Sequence, residues 1–154
     1  SKNFALYNER TGALTIGSPN AEESSIAMSH VKKIIRVNYS NPPAHGGLAA
    51  RTVLTDNDLY KEWINEVAVM RDRIKDMRVA FVEGLKKRGV TQDFSYIVDQ
   101  RGMFSFSGLN DDIVNWLRKD KSIYIVKGGR INVAGLTTNN IDYVCDAIAE
   151  ALNE

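Results

Sequence analysis

The chain of 154 residues carries 20 basic and 19 acidic side chains, a net charge of +1 and a 44% apolar fraction, the proportions of one ordinary soluble domain. This balance, with no basic block, disfavours nucleic acid as a partner, and apolar runs such as 122–126 fall far short of the roughly 20 residues that cross a bilayer. Cys145 is the lone cysteine, and His30 and His45 lack acidic neighbours at ligand spacing, so no internal disulfide and no metal site are expected and a reducing compartment fits.

The chain opens on Ser1-Lys2-Asn3-Phe4, with neither an initiator methionine nor the zones of a signal peptide, so an interior start is expected. Residues 13–16 (Ala-Leu-Thr-Ile) read as a short strand closed by Gly17. Ser18-Pro19 then predicts a helix start, because proline is tolerated where an amide has no helical acceptor. That helix covers about 20–37 and gathers Ile26, Ala27, Val31, Ile34 and Ile35 into one stripe. The run Asn41-Pro42-Pro43-Ala44-His45-Gly46-Gly47 breaks it, since prolines remove amide donors and glycines admit backbone angles closed to other residues. A rigid loop and then a short helix are expected.

The strongest periodic signal covers 56–88, where Leu59, Trp63, Val67, Met70, Ile74, Met77, Phe81 and Leu85 recur every three or four residues until Gly89. About thirty residues make a rod of about 45 to 50 Å, longer than a small domain, so this helix is expected to connect two packing units. Its aromatic positions read as core. Beyond it the pattern alternates, with strands near 94–98 and 103–107, a helix over 111–119, strands at 123–126 and 130–133, and a last helix from 140. Strands mixed with helices and short turns predict an α+β unit with a largely antiparallel sheet.

Four segments carry chemistry. Ser1-Lys2-Asn3-Phe4-Ala5-Leu6-Tyr7-Asn8-Glu9-Arg10-Thr11-Gly12 sets a lysine eight residues before an arginine. Ile35-Arg36-Val37-Asn38-Tyr39-Ser40 leads into the Pro-Pro loop. Gly102-Met103-Phe104-Ser105-Phe106-Ser107-Gly108 and Gly128-Gly129-Arg130-Ile131-Asn132-Val133-Ala134-Gly135 complete the set. An unprotonated lysine amine attacks aldehydes, and a guanidinium grips phosphate or carboxylate with two parallel hydrogen bonds. Composition alone would make Lys2 a solvated surface residue, Arg36 a cation favoured by a helix C-terminus, Arg130 an exposed turn arginine and Phe104 core.

These segments, at their mutual spacing, resemble the C-terminal portion of the aspartate/aromatic aminotransferase family, class I of the fold type I pyridoxal-phosphate enzymes, over essentially the whole chain. The resemblance implies an α/β fold. Residues 1–69 would complete a large cofactor domain and 70–154 would form an α+β small domain, with the long helix bridging them and a small, mostly antiparallel sheet flanked by helices. It implies pyridoxal 5'-phosphate as cofactor, with Lys2 as the catalytic Schiff-base lysine, Arg10 on the phosphate and Ser1 beside them. Arg130 would bind the substrate α-carboxylate and Phe104 would pack over the substrate. Arg36, with Ser40 beside it, would take the side-chain carboxylate of a dicarboxylic amino acid or 2-oxo acid in the neighbouring subunit of a homodimer.

The reaction so implied converts L-aspartate and 2-oxoglutarate to oxaloacetate and L-glutamate in the cytoplasm, an organelle matrix being equally compatible with the composition. The acidic partner of the ring nitrogen would lie upstream, in a missing N-terminal portion, so the 154-residue chain alone is expected to be inactive. Two alternatives stand beside this reading: an aromatic amino acid aminotransferase, and a non-catalytic dimerisation or binding module. Departures from the family pattern are small. Ala5 stands where glycine is common, and Lys127-Gly128 where a small pair is usual. His30, His45 and Cys145 are given no chemical role, Cys145 being read as buried filling.

Overall fold

Helix boundaries in the computed structural model, which describes residues 2–153, follow from local capping. Asn20 accepts the amide of Glu23 at 2.9 Å and its own amide group donates to the Glu23 carboxylate at 3.1 Å, so α1 (Ala21–Tyr39) starts after Asn20 and not at Ser18-Pro19. Ser40 then takes a positive φ of 69° and the Pro-Pro loop leads into α2 (His45–Thr55). One oxygen of Asp56 accepts the amides of Asp58 and Leu59, both at 3.0 Å, and opens α3 (Asn57–Lys87). Gly89, at φ +75°, ends it as the periodicity predicts.

The chain divides into two compact units, Ser1–Val67 and Ala68–Glu154, with the boundary inside α3. In the first, a 3-10 turn over Lys2–Phe4 is pinned to the start of α3. The Trp63 indole donates to the Asn3 carbonyl at 2.7 Å, and the Phe4 ring stacks on it at 4.7 Å. Trp63 is therefore a docking platform for the lysine segment and Tyr60 is exposed; of the aromatic positions on α3, Phe81 alone is core. Gly46 is buried where α2 meets the chain at residues 9–11, and a Cβ there would come within 2.8 Å of the Glu9 side chain. Residues 13–16 form no strand. No partner strand lies beside them among the described residues, and Leu14 and Ile16 are exposed. Ile26 and Ile34 of the expected α1 stripe are exposed as well.

The second unit owns the core. Phe81 and Leu85 of α3 pack with Ile97, Val114, Leu117, Val133 and Ile148, all fully buried. The expected strand at 94–98 is instead a short helix, α4 (Tyr96–Asp99). Asp93 accepts both the amide of Ser95 at 2.8 Å and its hydroxyl at 3.0 Å, and this local turn starts a helix where apolar composition suggested a strand. The same bonds hold the Asp93 carboxyl below its ordinary pKa. β1 (Phe104–Phe106) pairs antiparallel with β2 (Arg130–Asn132), with Ser105 opposite Ile131. The expected strand at 123–126 shrinks to one bridge, Val126 to Arg130, because Gly128 and Gly129 turn the chain at φ +80° and +74° after it. α5 (Asp111–Asp120) and α6 (Ile141–Asn153) complete the unit, so the sheet is antiparallel as expected but two strands wide among the described residues. Cys145 is fully buried on α6 against Gly84 of α3. Burial pushes its thiol up to about 11, which suits inert filling. No helix among the described residues is long and apolar enough to cross a membrane.

Candidate cofactor and substrate site

The lysine segment is folded back on itself by Ala5 and Arg10, both at positive φ (53° and 52°). Tyr7 sits at the centre of this turn. The Lys2 ammonium lies 5.4 Å from the centroid of its ring, and the Arg10 guanidinium donates to its carbonyl at 2.8 Å. Two cations eight residues apart in sequence thus share one residue. Both are exposed, and neither joins an ion pair among the described residues. The Arg10 guanidinium spends only one of its five donors on this bond, which leaves the others open to an anion. Ser1 lies outside the described residues. Glu9 faces away into a pair with His45 at 3.1 Å, so His45 has a structural partner.

Arg36 occupies the last turn of α1, and its Nη1 donates to the Ser40 hydroxyl at 2.5 Å. The two residues expected to share a pocket are therefore in contact, with Ser40 held at positive φ by the break before Pro42. Both are exposed and Arg36 has no carboxylate partner among the described residues.

In the second unit the two-stranded sheet sorts its side chains by alternation. Ser105 and Ile131 face the core, while Phe104, Phe106, Arg130 and Asn132 stand on the open face. Phe104 is 43% exposed and lies outside the core formed by the described residues, and the Arg130 guanidinium lies 5.2 Å over its ring. The residue before Arg130 is fixed from the backbone. The Gly129 carbonyl accepts the Ser107 amide at 2.8 Å and the Ser107 hydroxyl at 2.7 Å.

Gly129 needs to be glycine for two reasons, its φ of +74° and the backbone beside it: a Cβ would lie 2.8 Å from the Leu109 carbonyl oxygen. Replacing it with alanine is expected to cost about 2 to 4 kcal/mol, combining a left-handed alanine with overpacking against a backbone that cannot yield. Denaturant unfolding of the intact protein measures this, and a loss under about 0.5 kcal/mol, the level of an indifferent surface change, would contradict it.

Three participants escape a reading by motif. Tyr7 organises Lys2 and Arg10, Trp63 anchors their segment, and Arg78 is a buried cation behind the sheet. A sequence signal existed for Arg78 alone: it follows Met77 and precedes Phe81 by three, which sets a charge on the apolar face of α3.

The profile of the aminotransferase class I and II family matches residues 1–148. The chain belongs to this family. Among family members, it is 54% identical over 152 residues to the aspartate aminotransferase of Haemophilus influenzae, covering 99% of this chain and 38% of that protein. Solved structures of the family superpose closely. The aromatic-amino-acid aminotransferase from Burkholderia pseudomallei, covalently bound to pyridoxal phosphate, is 49% identical with a TM-score of 0.89 over 97% of this chain and 38% of that one. The aromatic amino acid aminotransferase of Psychrobacter sp. B6, cocrystallised with aspartic acid, is 38% identical with a TM-score of 0.91, over 99% of this chain and 38% of that one. The chain thus spans little more than a third of the length of these aminotransferases.

Proposed function

We propose that the protein carrying this chain is a pyridoxal-phosphate-dependent aspartate aminotransferase, a cytoplasmic homodimer that moves the amino group of L-aspartate to 2-oxoglutarate. The carrying observation is the set of exposed cations Lys2, Arg10, Arg36 and Arg130, none with a carboxylate partner among the described residues. Between them they match one aldehyde, one phosphate and two carboxylates. The 54% identity to an aspartate aminotransferase and the cofactor named for the Burkholderia structure support the same reading.

Bound pyridoxal phosphate supplies the aldehyde and the electron-withdrawing ring. In this reading Lys2 would be the residue that holds the cofactor, through Nζ, and its amine, when free, would take the proton from the substrate α-carbon and return it as general acid. Arg10 neutralises the phosphate, with Ser1 assigned beside it. Arg130 grips the α-carboxylate over the face of Phe104. Arg36, held by Ser40, receives the side-chain carboxylate in the partner subunit's site. Residues 1–69 are assigned to the large cofactor domain and 70–154 to the small domain, an assignment supported by the division of the chain within α3.

A second reading, an aromatic amino acid aminotransferase, is favoured by the 49% identity to the Burkholderia enzyme. Arg36 separates the two. In the full-length holoenzyme, Arg36→Leu is expected to raise KM for aspartate by roughly 30-fold or more, the effect of unpairing a desolvated carboxylate, and to leave KM for phenylalanine within about threefold. Steady-state kinetics with both substrates decide the matter. Equal effects on both would remove Arg36 from side-chain recognition, and a parent enzyme that prefers phenylalanine would establish the aromatic reading.

A further inference from the structure

Arg78 of α3 is only 2% exposed and has no carboxylate partner among the described residues. Its guanidinium is satisfied entirely by neutral acceptors. Nη1 donates to the Ile97 carbonyl at 3.0 Å and to the Ser105 hydroxyl, and Nη2 donates to the Gly102 carbonyl at 2.8 Å and the Phe104 carbonyl at 3.2 Å. A buried cation without a counter-ion is a poor device for stability, since an apolar side chain of similar volume avoids the desolvation cost. What a rigid planar fork provides is geometry. Four acceptors must lie where its N–H groups point, and these four define the path of the chain from Ile97 into β1.

That path carries Phe104. The fork grips β1 from the core side, through the Ser105 hydroxyl and the Phe104 carbonyl, while the Phe104 ring stands on the open face beneath Arg130 at 5.2 Å. Side chains alternate across a strand, so a slip of one residue in β1 would turn Phe104 inward and remove the platform. Arg73, five residues earlier on α3, donates to the Leu136 carbonyl at 2.7 Å, four residues beyond β2.

We propose that Arg78 is a positioning residue for substrate binding, holding β1 so that the Phe104 ring sets the guanidinium of Arg130. The proposal rests on the reading of Arg130 as the carboxylate-binding arginine.

The test is a double-mutant cycle in the full-length holoenzyme, reading KM, kcat and thermal midpoint. Arg78→Lys keeps the charge but loses the fork, and is expected to raise KM for aspartate and phenylalanine alike by about tenfold, a coupling of ordinary size for residues in one network. The cofactor absorption band should not move. Combined with Arg130→Leu, it should add nothing to the KM of Arg130→Leu alone. Ser105→Ala removes one acceptor and leaves the cation, so it covers the case of an Arg78→Lys protein that does not fold. Its KM should rise by about threefold, the size of a single lost hydrogen bond. A lower thermal midpoint with unchanged KM in the folded variants, or increases that multiply in the double mutant, would overturn the proposal. An unchanged KM in Arg130→Leu itself would refute the reading of Arg130, and the proposal with it.

Discussion

Replacing Lys2 with alanine in the intact protein is expected to lower aspartate transamination by about four to six orders of magnitude, the loss that follows removal of a group acting in every chemical step. The size of the effect comes from the double use of one amine. On the proposed reading Nζ would both hold the cofactor and move the substrate α-proton, and a methyl group can do neither. Binding should survive better than turnover, because Arg10 is anchored independently of the amine, through its bond to the Tyr7 carbonyl. Initial rates with 2-oxoglutarate as acceptor measure the loss. Borohydride reduction followed by peptide mapping should label Lys2 in the parent and nothing in the variant. Turnover within tenfold of the parent, or a label on another lysine, would remove Lys2 from the centre of the site.

The second large effect is expected at Arg130. Arg130→Leu should raise KM for aspartate by roughly 30-fold to a few thousand-fold, the range for truncating one partner of a hydrogen-bonded charge pair that substrate binding would bury. Phenylalanine should suffer as much, because the α-carboxylate is common to all amino acid substrates; this distinguishes Arg130 from Arg36. Arg130→Lys should recover part of the loss, keeping the charge over Phe104 but offering a point donor where the guanidinium offers a fork. An unaltered KM for both substrates would show that the carboxylate is held elsewhere. Gly129 is clamped by Ser107 and Phe104 by Arg78, so on the proposed reading Arg130 would bind from a fixed backbone and its loss would not be made good by local rearrangement.

Much of this arrangement was legible in the linear sequence because it is encoded locally. The three-and-four spacing from Leu59 to Leu85, ended by Gly89, is a property of one helix face, and α3 follows it within a residue at either end. The antiparallel pair was legible from 103–107 and 130–133, and the glycines before Arg130 take the positive φ that a tight turn there needs. Arg36 and Ser40, four residues apart at a helix end, are in contact, and Lys2 and Arg10 both reach Tyr7 within one short stretch.

What could not be read depends on partners far away in sequence. Residues 13–16 have the composition of a strand but no strand to pair with among the described residues; the strand expected at 94–98 differs in failing for a local reason, the turn at Asp93. The outward side of Phe104, under Arg130, is set by the register with β2. Trp63 looked like core and serves Asn3, sixty positions away. Arg78 was a charge on an apolar face until residues from Ile97 to Ser105 supplied its acceptors. The sequence by itself determined the longer helices, α4 excepted, and the positions of the cations, since these depend on spacing along one chain segment. The tertiary structure alone decided which aromatic faces the open side of the sheet and which arginine holds it there, because burial and hydrogen-bond satisfaction are set by whatever distant segment arrives alongside.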